Sequence, residues 1–205
     1  MARACYRKKI FCTSTHFQKE EDTLGACSAG ALYRVQTLKE IGGYDEEFFL
    51  NYEDVDLSLR SILYGWKCVL IPSSVIYHKV NASISKVRNF AFMLKSQENQ
   101  LKAYLYTTPF LVILLNTPSL LLRDLGVTLI NVIFFKWKIL RMFWTARINV
   151  LKNISEILRR RTKNMKHKNI SWWYIWSLQR WFITTYITYF YEIIITGRRS
   201  VLEDR

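Results

Sequence analysis

The chain has 205 residues, of which half are apolar and 15% are aromatic, and its formal net charge is +14. Residues 95–205 hold 18 Lys/Arg against 6 Asp/Glu, whereas residues 1–94 hold 12 against 10. Because the basic half also contains long aliphatic runs, the composition favours an anionic membrane surface as partner and argues against nucleic acid. The cysteines lack metal-type spacing and the N-terminus lacks the apolar core of a secretory signal, so we expect reduced thiols and a cytoplasmic chain.

The first part of the chain predicts an irregular connector followed by alternating strands and helices. We expect the connector at residues 1–26, with a solvated turn at QKEED. The elements predicted after it are a short strand at 27–33, a helix at 34–41, a helix opening near Asp54, a buried strand at 66–72 and a second strand at 73–80. This alternation is typical of half of an α/β layer.

Residues 42–66, GGYDEEFFLNYEDVDLSLRSILYGW, place acidic residues among aromatic ones. The glycine pair predicts a left-handed helix stop, and Asp45 is typical of a turn residue whose side chain binds nearby backbone. Asp56 and Arg60 have the i,i+4 spacing of an ion pair. Asp54 falls at a helix N-terminus, where a carboxylate stays ionised. Such a carboxylate suits a general base, although an acid in a first helical turn is by itself more often a cap.

Five motifs follow one another between residues 27 and 83: the small residues CSAG, the turn GGYDE, the helix start EDVDL, the strand after GW, and a lone histidine. In this order they resemble the family 2 glycosyltransferases of the GT-A fold, especially rhamnosyltransferase-like members. The resemblance implies the α/β fold class. It predicts an incomplete GT-A-like domain, the C-terminal part of a nucleotide-diphospho-sugar transferase fold. The apolar and basic runs that come later in the chain predict membrane-associated α-helices after this domain.

The resemblance also implies roles for individual residues. Asp54 corresponds to the catalytic base, and Glu53 beside it shapes the acceptor pocket. Gly30 and Ala31 match small residues that let backbone approach the sugar. For substrate binding we add Asp45 to these two.

The lone histidine, His78, matches a position that helps hold the donor diphosphate or its metal ion, which would be Mg²⁺ or Mn²⁺. A histidine at such a position can equally be a satisfied core or loop residue.

The resemblance leaves out a large part of the family's domain. Family members begin with a nucleotide-binding βαβ half and a D-x-D metal motif, whereas only 26 residues precede Cys27 here and they contain no D-x-D. We therefore expect residues 27–94 to form the acceptor-side part of the domain, with a separate N-terminal half as a possible partner.

Residues 95–205 predict a helical membrane-associated region. A helix is expected at 86–102, then 19 uncharged residues at 104–122, the pair Arg123 and Asp124, and eleven apolar residues at 125–135. Eleven helical residues cover only about 16 Å, against roughly 30 Å of bilayer hydrocarbon. Because this segment is too short to cross the bilayer, we predict that residues 104–135 attach to the membrane in its plane or as a re-entrant segment.

The rest of this region is basic and then aromatic. Residues 136–168 predict one basic amphipathic helix in the headgroup layer. For Arg159 to Arg161 a nucleic-acid patch is the alternative, but the aliphatic face beside them favours contact with lipid or lipid diphosphate. Residues 170–196 are rich in Trp and Tyr, as at a membrane interface.

Together the patterns predict an inverting glycosyltransferase, or its acceptor-side portion, on the cytoplasmic face of the cell membrane. It would transfer a sugar from a nucleotide-sugar donor to a hydroxyl acceptor, for which a lipid-linked molecule is one option. The alternative is an inactive remnant or membrane-binding module that needs a separate nucleotide-binding half. A basic binding protein without enzymatic ancestry leaves residues 42–80 unexplained.

Overall fold

The structure is a computed structural model that describes residues 19–49, 51–74 and 89–179. These residues form two short strands and seven α-helices. In chain order the elements are β1 (Glu21–Asp22), α1 (Val35–Ile41), α2 (Glu53–Leu63), β2 (Val69–Leu70), α3 (Phe90–Thr107), α4 (Phe110–Ile133), α5 (Trp137–Lys152), α6 (Ile154–Lys166) and α7 (Trp172–Ser177). The described part is therefore mainly helical, and the α/β fold class stays a prediction.

Helix α1 ends where the sequence predicts. Gly42 and Gly43 have φ angles of 83° and 70°, in the left-handed region that glycine enters without steric cost. Both of their N–H groups donate to the carbonyl oxygen of Leu38, at 3.0 Å each. The predicted glycine stop is confirmed.

Helix α2 is tied to the end of α1 by the predicted ion pair. The Arg60 Nε donates to Asp56 Oδ2 at 2.7 Å, and the guanidinium also donates to the carbonyl oxygens of Ile41, at 2.7 Å, and Gly43, at 2.8 Å. The Asp56 and Arg60 side chains are 1% and 9% exposed. The i,i+4 pair is confirmed, and it also holds the C-terminal carbonyls of α1.

The strands differ from their predictions. Glu21 pairs with Leu70 and Asp22 with Val69 in an antiparallel ribbon, so the prediction of a solvated turn at QKEED is wrong for Glu21 and Asp22. Within the predicted strand 66–72, the strand that forms is Val69–Leu70, and Val69 is 45% exposed rather than buried. Of the strand predicted at 73–80, residues 75–80 lie outside the described residues.

The strand predicted at 27–33 is also wrong, because Ser28–Gly30 form a 3-10 turn. The preceding backbone lies along α2. There the Ala26 N–H donates to Ser58 Oγ at 3.2 Å. At Gly25 a Cβ would come within 2.7 Å of the Ser58 Cβ, so only glycine allows this close approach. Because the backbone at Ala26 hydrogen-bonds to a side chain of α2, this part of the chain follows the helix and does not pair with a strand.

A core joins the first part of the chain to the later helices. It contains Phe48, from the turn before α2, together with residues of α3, α5 and α6: Ala103, Tyr106, Val150 and Ile157. Helix α3 begins after Asn89, whose side chain accepts a hydrogen bond from the Phe92 N–H at 2.9 Å, and it extends the predicted helix to Thr107. The division that we placed at residue 94 falls inside this helix.

Helix α4 continues through Arg123 and Asp124, so the apolar runs before and after this pair belong to one helix. The reason is a neighbour from α5: Arg147 Nε and Nη2 donate to the two Asp124 carboxylate oxygens at 2.6 and 2.9 Å. Arg123 Nε donates to the same carboxylate at 2.9 Å. Because the charges are matched within the protein, α4 runs for 24 residues, or about 36 Å. Residues 125–133 are part of this longer helix, so the length of the apolar run after Asp124 does not by itself exclude a crossing.

The single basic helix predicted at 136–168 is two helices, α5 and α6, which meet at Asn153. Phe143, Val150 and Ile157 on their apolar faces are buried against the protein, so the prediction that this face lies in the headgroup layer is wrong for these residues. Helix α7 buries Ile175 against Leu24 and α2. Residues 180–196 of the predicted aromatic segment lie outside the described residues.

Candidate functional site

Asp54 is the second residue of α2, in the first turn, where the helix dipole favours a negative charge. Its Oδ2 accepts a hydrogen bond from the Ser28 N–H at 3.1 Å, and its Oδ1 accepts one from the Val55 N–H at 2.8 Å. The side chain is half-buried and has no ion pair among the described residues. Asp54 is therefore held in place by backbone donors, and within residues 19–49, 51–74 and 89–179 no positive side chain pairs with it.

The turn beside Asp54 contains one of the predicted sugar-binding residues. Gly30 closes this Ser28–Gly30 turn, its N–H donating to the Cys27 carbonyl at 2.9 Å, and Ala31 follows in extended conformation. The structure thus brings Asp54 next to the turn that carries Gly30, although 24 residues separate them in sequence.

Two hydroxyl groups that sequence reasoning missed lie at the same place. Ser28 Oγ is 3.2 Å from Tyr44 Oη, and the hydrogen bond between them joins the two turns next to Asp54. Tyr33 is also close, and burial raises its pKa to about 12, with smaller raising effects from Tyr44 and Asp54. The positions of Ser28 in CSAG and of Tyr44 in GGYDE were the only signal in the sequence, because single hydroxyl residues have no distinctive spacing.

Glu53 differs from Asp54 in its surroundings. Its Oε2 is buried and has no hydrogen-bond partner among the described residues. Burial raises the pKa of Glu53, and the negative charge of neighbouring Asp54 raises it further. Burial thus favours the neutral form of Glu53, and a shifted pKa of this kind is common at functional sites.

Asp45 lies in a different network. Its Oδ1 accepts from the Glu47 N–H at 3.0 Å, which confirms the predicted turn role, and its Oδ2 pairs with Arg160 of α6. Glu47 accepts from Tyr106 Oη at 3.2 Å and pairs with Lys102 and Arg160. These acids fasten the turn before α2 to α3 and α6. A substrate-binding role for Asp45 stays a prediction.

A cleft of about 540 Å³ opens beside this network and is lined by Asp45, Glu47, Arg159, Arg160 and Lys163, with Tyr44 also in its wall. Neither Glu53 nor Asp54 lines it. Asp54 is a stronger candidate for a functional site than the cleft, because most charged side chains in the cleft wall already form ion pairs within the protein. Tyr44 lines the cleft and is also hydrogen-bonded to Ser28 beside Asp54.

The arginine run of α6 is used mainly inside the protein. Arg160 pairs with Asp45 and Glu156, and Arg161 donates to the carbonyl oxygens of Leu105 and Thr108 at the end of α3. Arg159 pairs with Glu156 and is 67% exposed. The prediction that the whole run contacts lipid or lipid diphosphate is wrong for the last two arginines.

The described residues contain no group of three His, Cys, Asp or Glu side chains that could hold a metal ion. His78, the predicted ligand, lies outside the described residues. The Mg²⁺ or Mn²⁺ prediction therefore rests on the resemblance alone.

Comparison with known proteins relates part of this chain to glycosyltransferases. The chain is 38% identical over 60 residues to two curated proteins from two strains of Mycobacterium tuberculosis, both named N-acetylglucosaminyl-diphospho-decaprenol L-rhamnosyltransferase. The match covers 29% of this chain and 19% of each relative. The chain thus matches about a fifth of the length of these relatives. No known family profile and no solved structure matches it.

Proposed function

We propose that this chain is the acceptor-side part of an inverting glycosyltransferase that uses a nucleotide-sugar donor. The observation that carries the proposal is the position of Asp54, a carboxylate that backbone N–H groups hold beside the Ser28–Gly30 turn and that has no ion pair among the described residues. Glu47 and Asp56, in contrast, are both paired with basic residues. The partial relationship to a rhamnosyltransferase supports the same class of reaction.

In this proposal Asp54 acts as general base. It takes the proton of an acceptor hydroxyl while that oxygen forms a bond to the anomeric carbon and the bond from this carbon to the nucleoside diphosphate breaks. The Ser28 and Val55 N–H groups hold the carboxylate in position. Glu53, whose pKa is raised by burial, shapes the acceptor pocket beside Asp54, as the resemblance implies. A bound Mg²⁺ or Mn²⁺ would neutralise the departing diphosphate.

The proposed partners follow from the resemblance and from the relatives' name. The acceptor is a hydroxyl of a lipid-linked sugar, in line with the diphospho-decaprenol of that name. A donor-binding half, separate from the described residues, completes the site. Leu32, Val35 and Phe49 are 99%, 64% and 85% exposed. Apolar side chains this exposed support the presence of a protein partner, such as the donor-binding half, at this surface. We place the enzyme on the cytoplasmic face of the cell membrane, where nucleotide sugars are made.

A second candidate, an inactive remnant, is favoured by one observation. Both hydrogen bonds of Asp54 are of the kind that a purely structural cap makes. In that case the carboxylate would fix the Ser28–Gly30 turn and do nothing else.

The two candidates are separated by Asp54→Asn, assayed for sugar transfer to a polyprenyl-diphosphate-linked acceptor in the presence of the donor-binding half. Asparagine keeps an oxygen acceptor for the Ser28 N–H but cannot take a proton. We expect transfer to fall by roughly 10²- to 10⁴-fold. The matched control is Glu46→Gln, which removes an exposed acid from the neighbouring turn and should leave transfer unchanged. Near-wild-type transfer by Asp54→Asn would refute the base assignment.

A further inference from the structure

One face of α4 is apolar and exposed along its whole length. The α4 stripe consists of Leu111, Leu115, Leu122, Leu125, Leu129 and Ile133, which lie on one side at helical spacing and are 38–65% exposed. It extends for about 33 Å. Helix α4 is the one helix among the described residues that is long and apolar enough to cross a membrane. A continuous apolar surface of this length requires a partner.

We propose that the α4 stripe lies flat on an anionic phospholipid leaflet and does not cross the bilayer. The proposal does not depend on the transferase activity. Its first support is the opposite face of α4, where Arg123 and Asp124 form the charged cluster with Arg147 near the middle of the helix. A crossing helix would carry these charges to the centre of the hydrocarbon, where they are strongly unfavourable. A helix in the plane of the interface keeps them on its protein side.

The second support is the path of the chain at both ends of α4. Helix α3 leads into α4, and after the turn at 134–136 helix α5 returns to pack against α3, where Asn149 donates to Glu98 at 2.6 Å. Both ends of α4 are therefore joined to one protein body. A crossing α4 would need α5 to cross back with Arg141 and Arg147, in 16 residues that span only about 24 Å.

The third support is charge and aromatic content at the end of the stripe. Lys136, Lys138 and Arg141 follow it and are exposed, together with Phe135 and Trp137, which are 74% and 56% exposed. Basic and aromatic side chains in this arrangement are typical of helices that bind at the headgroup level. Their positive charge selects anionic lipid over neutral lipid.

Binding of the full-length protein to sealed vesicles tests the inference. We expect flotation with vesicles of phosphatidylcholine and phosphatidylglycerol and much weaker flotation with phosphatidylcholine alone. The triple variant Leu122→Gln, Leu125→Gln, Leu129→Gln should weaken binding by on the order of 100-fold. The control is Leu32→Gln, Val35→Gln, Phe49→Gln, which removes three apolar side chains that are even more exposed from another part of the surface and should bind as wild type.

The charge contribution is tested in the same assay. Lys136→Glu, Lys138→Glu should weaken binding to the anionic vesicles at least tenfold, whereas Lys19→Glu, Lys39→Glu, with the same change in net charge, should not. If all four variants bind alike, the surface is wrongly assigned. If the α4 stripe variant instead changes the oligomeric state or the melting temperature and leaves vesicle binding intact, the stripe is covered by protein and the inference fails.

Orientation is tested with Lys136→Cys in a background where Cys5, Cys12, Cys27 and Cys68 are alanine. With protein bound from outside, an impermeant maleimide should label residue 136 without detergent, because both ends of α4 stay at the outer surface. Labelling that requires detergent would show that α4 crosses the bilayer and would overturn the proposal.

Discussion

The acidic residues between positions 45 and 56 differ in the partners that they have in the fold. At the turn, Asp45 and Glu47 pair with Arg160 and Lys102 from helices far along the chain. At the start of α2, Glu53 and Asp54 have no basic partner among the described residues. The same residue types, only a few positions apart, therefore hold the fold in one place and remain available for chemistry in the other. Asp56, paired with Arg60, belongs with the first group.

The strongest expected effect comes from breaking the most buried pair of the first group. Arg60→Met leaves Asp56, which is 1% exposed, without its partner and frees the carbonyls of Ile41 and Gly43. We expect a loss of about 3–5 kcal/mol in the free energy of unfolding, measured by urea titration with circular dichroism.

The control for Arg60 is Arg159→Met, which breaks an ion pair whose arginine is 67% exposed. It should cost much less than Arg60→Met, since water screens surface ion pairs. Equal losses in the two variants would contradict the importance of burial.

A smaller loss is expected at the turn. Glu47→Gln removes a charge that accepts hydrogen bonds from Lys102 and Tyr106, so the free energy of unfolding should fall by about 2 kcal/mol. Glu46→Gln changes the adjacent, exposed acid and should stay within about 0.5 kcal/mol of wild type. A neutral Glu47→Gln would mean that the turn is not held by these helices.

Smaller still is the effect of the bond between Asp54 and the Ser28–Gly30 turn. Asp54→Ala removes the acceptor for the Ser28 N–H and should cost about 1 kcal/mol, whereas Asp54→Asn keeps an acceptor and should cost less. Thermal unfolding of both variants measures the difference. If both unfold like wild type, the hydrogen bond contributes nothing to the fold.

The smallest effect is the pH dependence from Glu53. Because burial raises its folded pKa above the unfolded value, this group contributes stability below the unfolded pKa, about 4.3, which is lost as the pH rises through the folded pKa. Glu53→Gln should therefore gain stability relative to wild type at neutral pH. That gain should shrink towards pH 4, in unfolding curves measured at both pH values. A gain that is independent of pH would contradict the raised pKa.

The sequence could predict what is local. Gly42, Gly43 and the Asp56–Arg60 spacing act within one or two helical turns, and all three were predicted correctly. The helix start at Asp54 was predicted for the same reason.

Features set by distant partners could not be predicted. Asp124 interrupts an apolar run in the sequence, but Arg147, 23 positions later, neutralises it and the helix continues. Arg160 meets Asp45 across 115 positions, so a run of arginines that suggested lipid contact is used inside the fold. The ribbon between Asp22 and Val69 likewise depends on a pairing that no local pattern specifies.

In the candidate site the sequence indicated Asp54, Glu53 and Gly30, but it could not show that Ser28 and Tyr44 lie with them. These hydroxyls meet because the backbone at Ala26 lies along α2, and this position brings Ser28 next to Tyr44.

The most direct measurement compares sugar transfer by Asp54→Asn and Glu47→Gln in the presence of the donor-binding half, at a temperature where both variants are fully folded. The account predicts that Asp54→Asn loses transfer while its melting temperature stays near wild type, and that Glu47→Gln melts earlier but retains transfer. Transfer retained by Asp54→Asn, or lost equally in both variants, would contradict the division of this acidic stretch into a structural end and a chemical end.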